Sequence, residues 1–241
     1  TYTGESNEPL SLHLYTYCEN DGVNAWDPSG HTKESVINVH SVKKGKREAV
    51  LIKAGLELDV DGSPRAYAPD NKKYKPLDYL ENAKNGFGGW CGIYTKNGKP
   101  IKQKYGVYKG YYISTTALEN ERYDKDDTRR YVNSEKIPYI VNSRITRNKH
   151  IELGDICYVW NKKKKKGSYA IMADNGPSGK FGEGSIKLAK NIGVGLYMSS
   201  SGKYIGTNAD EGRNIQYIIF KKSRRKTAGS YTKTYKEIKK I

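Results

Sequence analysis

From Glu48 onward, apolar runs of five to nine residues alternate with clusters of turn-forming residues. None approaches the ~18 consecutive apolar residues that a membrane-spanning helix needs. Short apolar runs between turn clusters mark an antiparallel β fold in which each strand turns one face inward. The segments read as strands are 49–54 (AVLIKA), 55–60 (GLELDV), 90–95 (WCGIYT), 107–115 (VYKGYYIST), 138–142 (PYIVN), 155–161 (DICYVWN), 168–174 (SYAIMAD) and 215–221 (IQYIIFK). Twenty-one tyrosines and 25 glycines agree with a sheet-rich chain of many turns. Two segments read as helices, 77–84 (LDYLENAK) and 185–193 (SIKLAKNIG). Ser185 is placed to cap the second, and Gly193 to end it. DICYVWN and SYAIMAD read as a hairpin with Lys162–Gly167 as its loop. The expected class is mainly β with a few short helices.

Charge limits the partners. Forty-three basic against 26 acidic residues give a net charge of +17, concentrated in Lys43–Arg47, Lys162–Lys166, Lys221–Lys226 and the C-terminus. Such a field attracts polyanions such as nucleic acid, an anionic cell wall or a lipid surface, and repels a polycation. For each run the plain alternative is a solvated loop. Cys18, Cys91 and Cys157 lie far apart, and none sits in a Cys-x-x-Cys or Cys/His cluster, so neither a zinc site nor a cofactor is expected. Cys157, inside ICYVW, reads as a buried core thiol, and His40 and His150 as incidental.

One segment carries chemistry. In YAIMADNGPSGKFGEGSIKL (169–188), Asp174 and Glu183 stand nine residues apart across an Asn-Gly-Pro turn and a glycine-rich loop. The first falls at a strand exit and the second two residues before a helix, both loop ends on a stiff support. Two carboxylates so presented suit glycosidic-bond hydrolysis, one as acid and one as base. Asp59 and Asp61, two apart and hence on one face of a continuing strand, are candidates for binding sugar hydroxyls or a water. The same pair could equally cap the turn before Gly62. It does not make an EF-hand loop, because the later acidic ligands are missing. Trp90, in GFGGWCG, is a candidate for stacking on a sugar ring.

Residues 1–31 differ from the rest. LSLHLYTYCENDGVNAWDPSGH closely resembles the closing segment of Rhs/YD-repeat proteins, through Pro9-Leu10-Ser11-Leu12, Leu14-Tyr15-Thr16-Tyr17, Asn20, Val23 and Asp27-Pro28-Ser29-Gly30-His31. Asp21-Gly22 replaces the usual Asn-Pro. The resemblance implies that the following residues are the variable C-terminal domain of a polymorphic toxin on a secreted or cell-surface carrier, with a cognate immunity protein as partner. The start, TYTGESNEPL, reads as a position inside a longer protein. The expected organisation is a carrier remnant at 1–31, a basic linker at 32–47, one domain at 48–223 and a basic tail at 224–241, as a monomer.

Across roughly 49–222 the order of phrases resembles glycoside hydrolase family 75, the fungal-type chitosanases. The matching residues are Lys53-Ala54-Gly55-Leu56 with Leu58-Asp59-Val60-Asp61-Gly62, then Pro138-Tyr139-Ile140-Val141 and Gly154-Asp155. They continue with Asp174-Asn175-Gly176-Pro177, Gly182-Glu183-Gly184-Ser185-Ile186-Lys187-Leu188-Ala189 and Tyr217-Ile218-Ile219-Phe220. The resemblance implies a six-stranded double-psi β-barrel, as in lytic transglycosylases and expansins. It also implies an endo-acting, inverting glycosidase with Asp174 and Glu183 as its catalytic acids. Glu183 is expected to be the general acid and Asp174 the general base, their carboxyl groups about 6.5–9.5 Å apart.

The substrate expectation is a β-1,4-linked amino-sugar polymer, with bacterial cell wall ahead of chitosan because a +17 chain repels a polycation. Two other classes stay open. A nucleic-acid-cleaving toxin would lean on His, Lys or Arg, and a non-catalytic, expansin-like wall-binding module would not depend on either carboxylate.

Overall fold

The structure is a computed structural model that describes residues 39–44, 47–70, 73–85, 88–176, 181–198, 204–207 and 214–224. The carrier-like segment 1–31 and the tail beyond residue 224 lie outside the described residues.

Twelve strands and two short α-helices occur in the order β1 (Val39–Lys44), β2 (Arg47–Ala54), β3 (Glu57–Asp59), β4 (Thr95–Lys96), β5 (Lys99–Pro100), β6 (Tyr139–Asn142), α1 (Arg144–Arg147), β7 (Ile156–Asn161), β8 (Lys166–Asn175), β9 (Glu183–Ser185), α2 (Ile186–Asn191), β10 (Leu196–Met198), β11 (Tyr204–Thr207) and β12 (Ile215–Phe220). Eight of them form one mixed sheet in the order β1-β2-β12-β7-β8-β6-β9-β3, with β4–β5 and β10–β11 as separate pairs. The fold is therefore mainly β, as expected, but the sheet is mixed rather than antiparallel, because β3–β9 and β6–β8 pair in parallel. The ladder is open, with β1 and β3 at its two ends.

Period-two patterning builds the antiparallel half. Along β12, Ile215, Tyr217 and Ile219 are buried and alternate with partly exposed neighbours. The registered pairs Ile52↔Tyr217↔Val159 and Val50↔Ile219↔Cys157 bring the inward residues of β2, β12 and β7 together. Slipping any of these strands by one residue would turn its whole apolar set outward, so burial fixes the register. Cys157 is a buried free thiol within this core. Helix α2 adds Leu188 and Ala189. Ser185 Oγ accepts from Leu188 N (3.1 Å), and Gly193 ends the helix at φ 71°.

Strand β6 is different, because all four of its residues are buried. It lies between β8, which it pairs in parallel, and β9, which runs antiparallel to it. A strand covered on both faces reads as a continuous apolar run, as in PYIVN.

Three expectations are corrected. Residues 39–44, read as linker, form edge strand β1 on β2. Lysines on an outer strand discourage pairing with other chains, so an edge strand and a basic linker have similar compositions. Segments 90–95 and 107–115 are not continuous strands. Residues 107–110 are turn, and the remainder is joined by the single bridges Lys84↔Trp90, Ile93↔Ser114 and Lys102↔Tyr112, apart from the two-residue β4. Gly92, Gly106 and Gly110 have φ of 60°, 81° and 91°, and each interrupts the strand geometry there. In 77–84 the helix is a 3-10 turn over Leu80–Ala83, and its N-cap residue Tyr79 makes no side-chain cap.

Candidate functional site

The strand order explains why two carboxylates nine residues apart in sequence meet. Asp174 lies near the C-terminal end of β8, parallel to β6, and Glu183 opens β9, antiparallel to β6. Both therefore sit beside the C-terminal end of β6, one on each side of it. Glu183 is also paired with Glu57 of β3, which runs on to Asp59 and Asp61.

A β-bulge aims Asp174. Ile140 pairs with Met172 but Val141 pairs with Asp174, leaving Ala173 as an extra residue in β8. Bulges bend a strand and redirect a side chain, and they are frequent beside active sites. The bulge is held from outside the sheet: Leu118 N donates to Ala173 O (2.8 Å), and Ala117 N donates to Asp174 Oδ1 (3.0 Å). Asn175 N donates to the same oxygen at 2.8 Å.

These elements surround a pocket of about 70 Å³, large enough for a few water molecules. Asp59, Asp61, Asp78, Asp174 and Glu183 line it, and among the described residues no Lys, Arg or His does. Asp174 is 9 % exposed and Glu183 7 %. Two glycines make room for the acids. A Cβ on Gly92, whose φ is 60°, would stand 2.2 Å from Asp61 Oδ2, and one on Gly176 would stand 3.1 Å from Glu183 Oε2.

Carboxyl oxygens of Asp59, Asp61 and Asp174 lie within 4.8 Å of one another. Three ionised carboxylates this close repel strongly unless protons or a cation intervene. Burial, and then the neighbouring Asp61 charge, raises the Asp59 carboxyl well above the ordinary range. Burial and Asp174 push Asp61 up to about 8. Burial and Asp59 likewise raise Asp174, against the two backbone N–H groups that favour its charged form. The hard oxygen set could also hold a divalent cation.

Tyrosines brace this group. The Tyr139 hydroxyl, fully buried, lies 3.0 Å from the Asp61 carbonyl and also hydrogen-bonds the Asp59 side chain. Tyr67 hydrogen-bonds the Asp61 carboxyl, and Ser114 Oγ is 3.2 Å from Asp61 Oδ1. Asp61 N donates to Asp59 Oδ1 at 2.8 Å, so the turn-capping role suggested by the spacing is present alongside the pocket-lining one.

Of the sequence candidates, Asp59, Asp61, Asp174 and Glu183 share one pocket, whereas Trp90 is not among its lining residues. The Trp90 ring packs against Tyr112 (6.2 Å between centroids) with Lys84 Nζ 5.3 Å from its own centroid. Its neighbour Cys91 lines the pocket and is disulfide-bonded. Tyr67, Asp78 and Asn82 also line the pocket and carried no sequence signal. Asn82 comes from the 3-10 turn, and Tyr67 and Asp78 come from loops held by the hydrogen bonds Tyr112 N to Tyr67 O and Asp78 N to Ala66 O.

Compared with models of known protein families and with curated proteins, the chain gives no match.

Proposed function

We propose that the chain is an endo-acting, inverting glycoside hydrolase of β-1,4-linked amino-sugar polymers, and the effector domain of an Rhs-type polymorphic toxin. The observation that carries the reading is that Asp174 and Glu183 flank the end of β6 and line one pocket. The carrier assignment rests on the leader's resemblance to Rhs proteins, as does a secreted or surface location. The likeness to a six-stranded double-psi barrel is kept as the finer form of the fold.

In this reading Glu183 gives its proton to the leaving glycosidic oxygen while Asp174 takes one from water. The water oxygen bonds to the anomeric carbon as the C–O bond breaks, which inverts the centre. The two backbone N–H groups on Asp174 favour the charged form that a base needs, against burial and the Asp59 charge, which raise its pKa.

The pocket changes the substrate argument. Net charge describes the far field, whereas a bound sugar meets the five carboxylates around it. An acid-lined pocket supports a unit with a free amine over its neutral N-acetylated form and, with protons rather than a cation in the cluster, opposes a phosphodiester. Partly de-N-acetylated glycan is thus the supported substrate, whether wall-derived or chitosan-like.

The test compares wild type, Asp174→Asn and Glu183→Gln on de-N-acetylated and N-acetylated oligosaccharides, cell wall and RNA. New reducing ends that vanish in both variants are expected. RNA cleavage retained by the variants would overturn the reading.

A further inference from the structure

Strand β8 carries the candidate site at one end and a turn of five consecutive lysines at the other. Lys166 begins β8 and Asp174 is its penultimate residue. At ~3.3 Å per residue the two lie roughly 26 Å apart. Lys162, Lys163, Lys164, Lys165 and Lys166 are all exposed. Among the described residues none of the five has a carboxylate within ion-pair distance.

The turn is fixed in place. The buried Asn161 accepts from Lys164 N (3.1 Å) and donates to Ile192 O (3.2 Å), tying the turn to the end of α2. The stems of Lys164 and Lys166 lie against Gly193, where a Cβ would come 3.7 Å and 3.0 Å from them. Lys165 holds the left-handed conformation at φ 50°. Five exposed lysines on a braced turn, none ion-paired among the described residues, form a concentrated cationic feature.

Aromatic rings adjoin it. Tyr158 and Trp160 alternate along β7 with the buried Cys157 and Val159, so they face outward. Their registered partners on β8 are Tyr169 and Gly167. Tyr158 and Tyr169 meet edge to face at 5.1 Å. Tyr158 and Trp160 both reach over Gly167, where a Cβ would stand 2.1 Å from the Tyr158 hydroxyl and 3.0 Å from Trp160. Half-buried rings beside exposed ammonium groups combine stacking surface for sugar rings with charge for phosphates.

We propose that this outward face of the β7–β8 hairpin is a second binding surface, and that its ligand is the phosphodiester-bearing polymer of a bacterial cell wall. The inference rests on the glycosidase reading: the acid-lined pocket takes the amino sugar, while the lysine turn, at the far end of β8, holds the anionic polymer attached to the same wall. The wall polymer is preferred to RNA because the described pocket residues include no basic or imidazole group to act on a phosphodiester.

The test uses sedimentation of the full chain with cell wall that retains its polyol-phosphate polymer, and with the same wall stripped of phosphate by hydrofluoric acid. Asp174→Asn is the background, so that the wall is not consumed. The variant Lys162→Gln/Lys163→Gln/Lys165→Asn spares the two lysines against Gly193 and keeps a residue tolerant of positive φ at 165. Expected are at least tenfold weaker binding to stripped wall, a similar loss in the triple variant, and a salt-dependence slope shallower by about two to three. The triple substitution in the wild-type background should cleave short soluble oligosaccharides at the wild-type rate. Equal binding by the triple variant, equal binding to stripped wall, or tighter binding of homopolymeric RNA at the same ionic strength would overturn the proposal. Failure of the wild type to cleave any oligosaccharide would instead sink the glycosidase reading.

Discussion

Val141 on β6 faces Asp174 on β8, although its neighbour Ile140 faces Met172, so Ala173 is the one residue out of step. That single insertion lets a buried strand turn a carboxylate into a pocket without breaking the sheet. It also ties Asp174 to the 114–118 segment, through Ala117 N and the Leu118 N–Ala173 O hydrogen bond.

Asp174→Asn and Glu183→Gln should each lower glycosidase turnover by about 10²–10⁴-fold, the usual range for a positioned acid or base. Both substitutions are nearly isosteric. Circular dichroism and melting temperature should therefore stay close to wild type while reducing-end production falls.

Asp59→Asn should move the acidic limb of the pH–kcat/KM profile to lower pH. Asp174 must be ionised to act as base, and the Asp59 charge is the leading electrostatic contribution, after burial, that raises it. Removing that charge lets Asp174 ionise sooner. A limb that stays put or moves upward would refute the coupling.

Stability should fall as pH rises through the upper carboxyl range. Asp59, Asp61 and Asp174 have folded-state values above their unfolded ones, so the native state binds more protons. Their stabilising contribution is complete below the ordinary Asp value near ~3.9 and declines as pH approaches about 8, where Asp61 titrates. Urea unfolding from pH 4 to 9 should show this decline in wild type and a flatter profile in Asp61→Asn.

Gly92→Ala should cost about 1–3 kcal/mol and reduce activity, because it strains a positive φ and drives a methyl into Asp61. Thermal melting reads the first effect and turnover the second. Gly98, also at positive φ but with open space around it, is the control that separates φ strain from the clash.

Dialysis against a chelator should leave turnover unchanged if protons, rather than a cation, reconcile Asp59, Asp61 and Asp174. Loss of turnover on chelation, restored by magnesium or calcium, would give the cluster a cation-binding role instead.

The central strands were legible in the sequence because burial on one face imposes strict alternation, as in IQYIIF, and burial on both gives the unbroken YIVN. Asp174 and Glu183 were legible because they bracket turn residues between apolar runs. Asp59 and Asp61 could be nominated, although not joined to them, since nothing local says that β3 pairs with β9. Strand β1 was lost because its lysines are equally suited to a solvated linker. Tyr67 and Asp78 were lost because their loops hold their course through scattered hydrogen bonds, which leave no periodic trace. Whole-chain charge averages an acidic pocket with a lysine-rich turn, so it does not describe the surroundings of the candidate site.

The end of β6 gathers residues that are far apart along the chain: Asp59 and Asp174 are 115 positions apart, and the short β3 that leads to Asp59 belongs to the ladder only through β9. Loop closure over such spans is entropically costly and tends to come late in folding. Hydrolytic activity should consequently lag behind the far-ultraviolet signal when the denatured chain is returned to water.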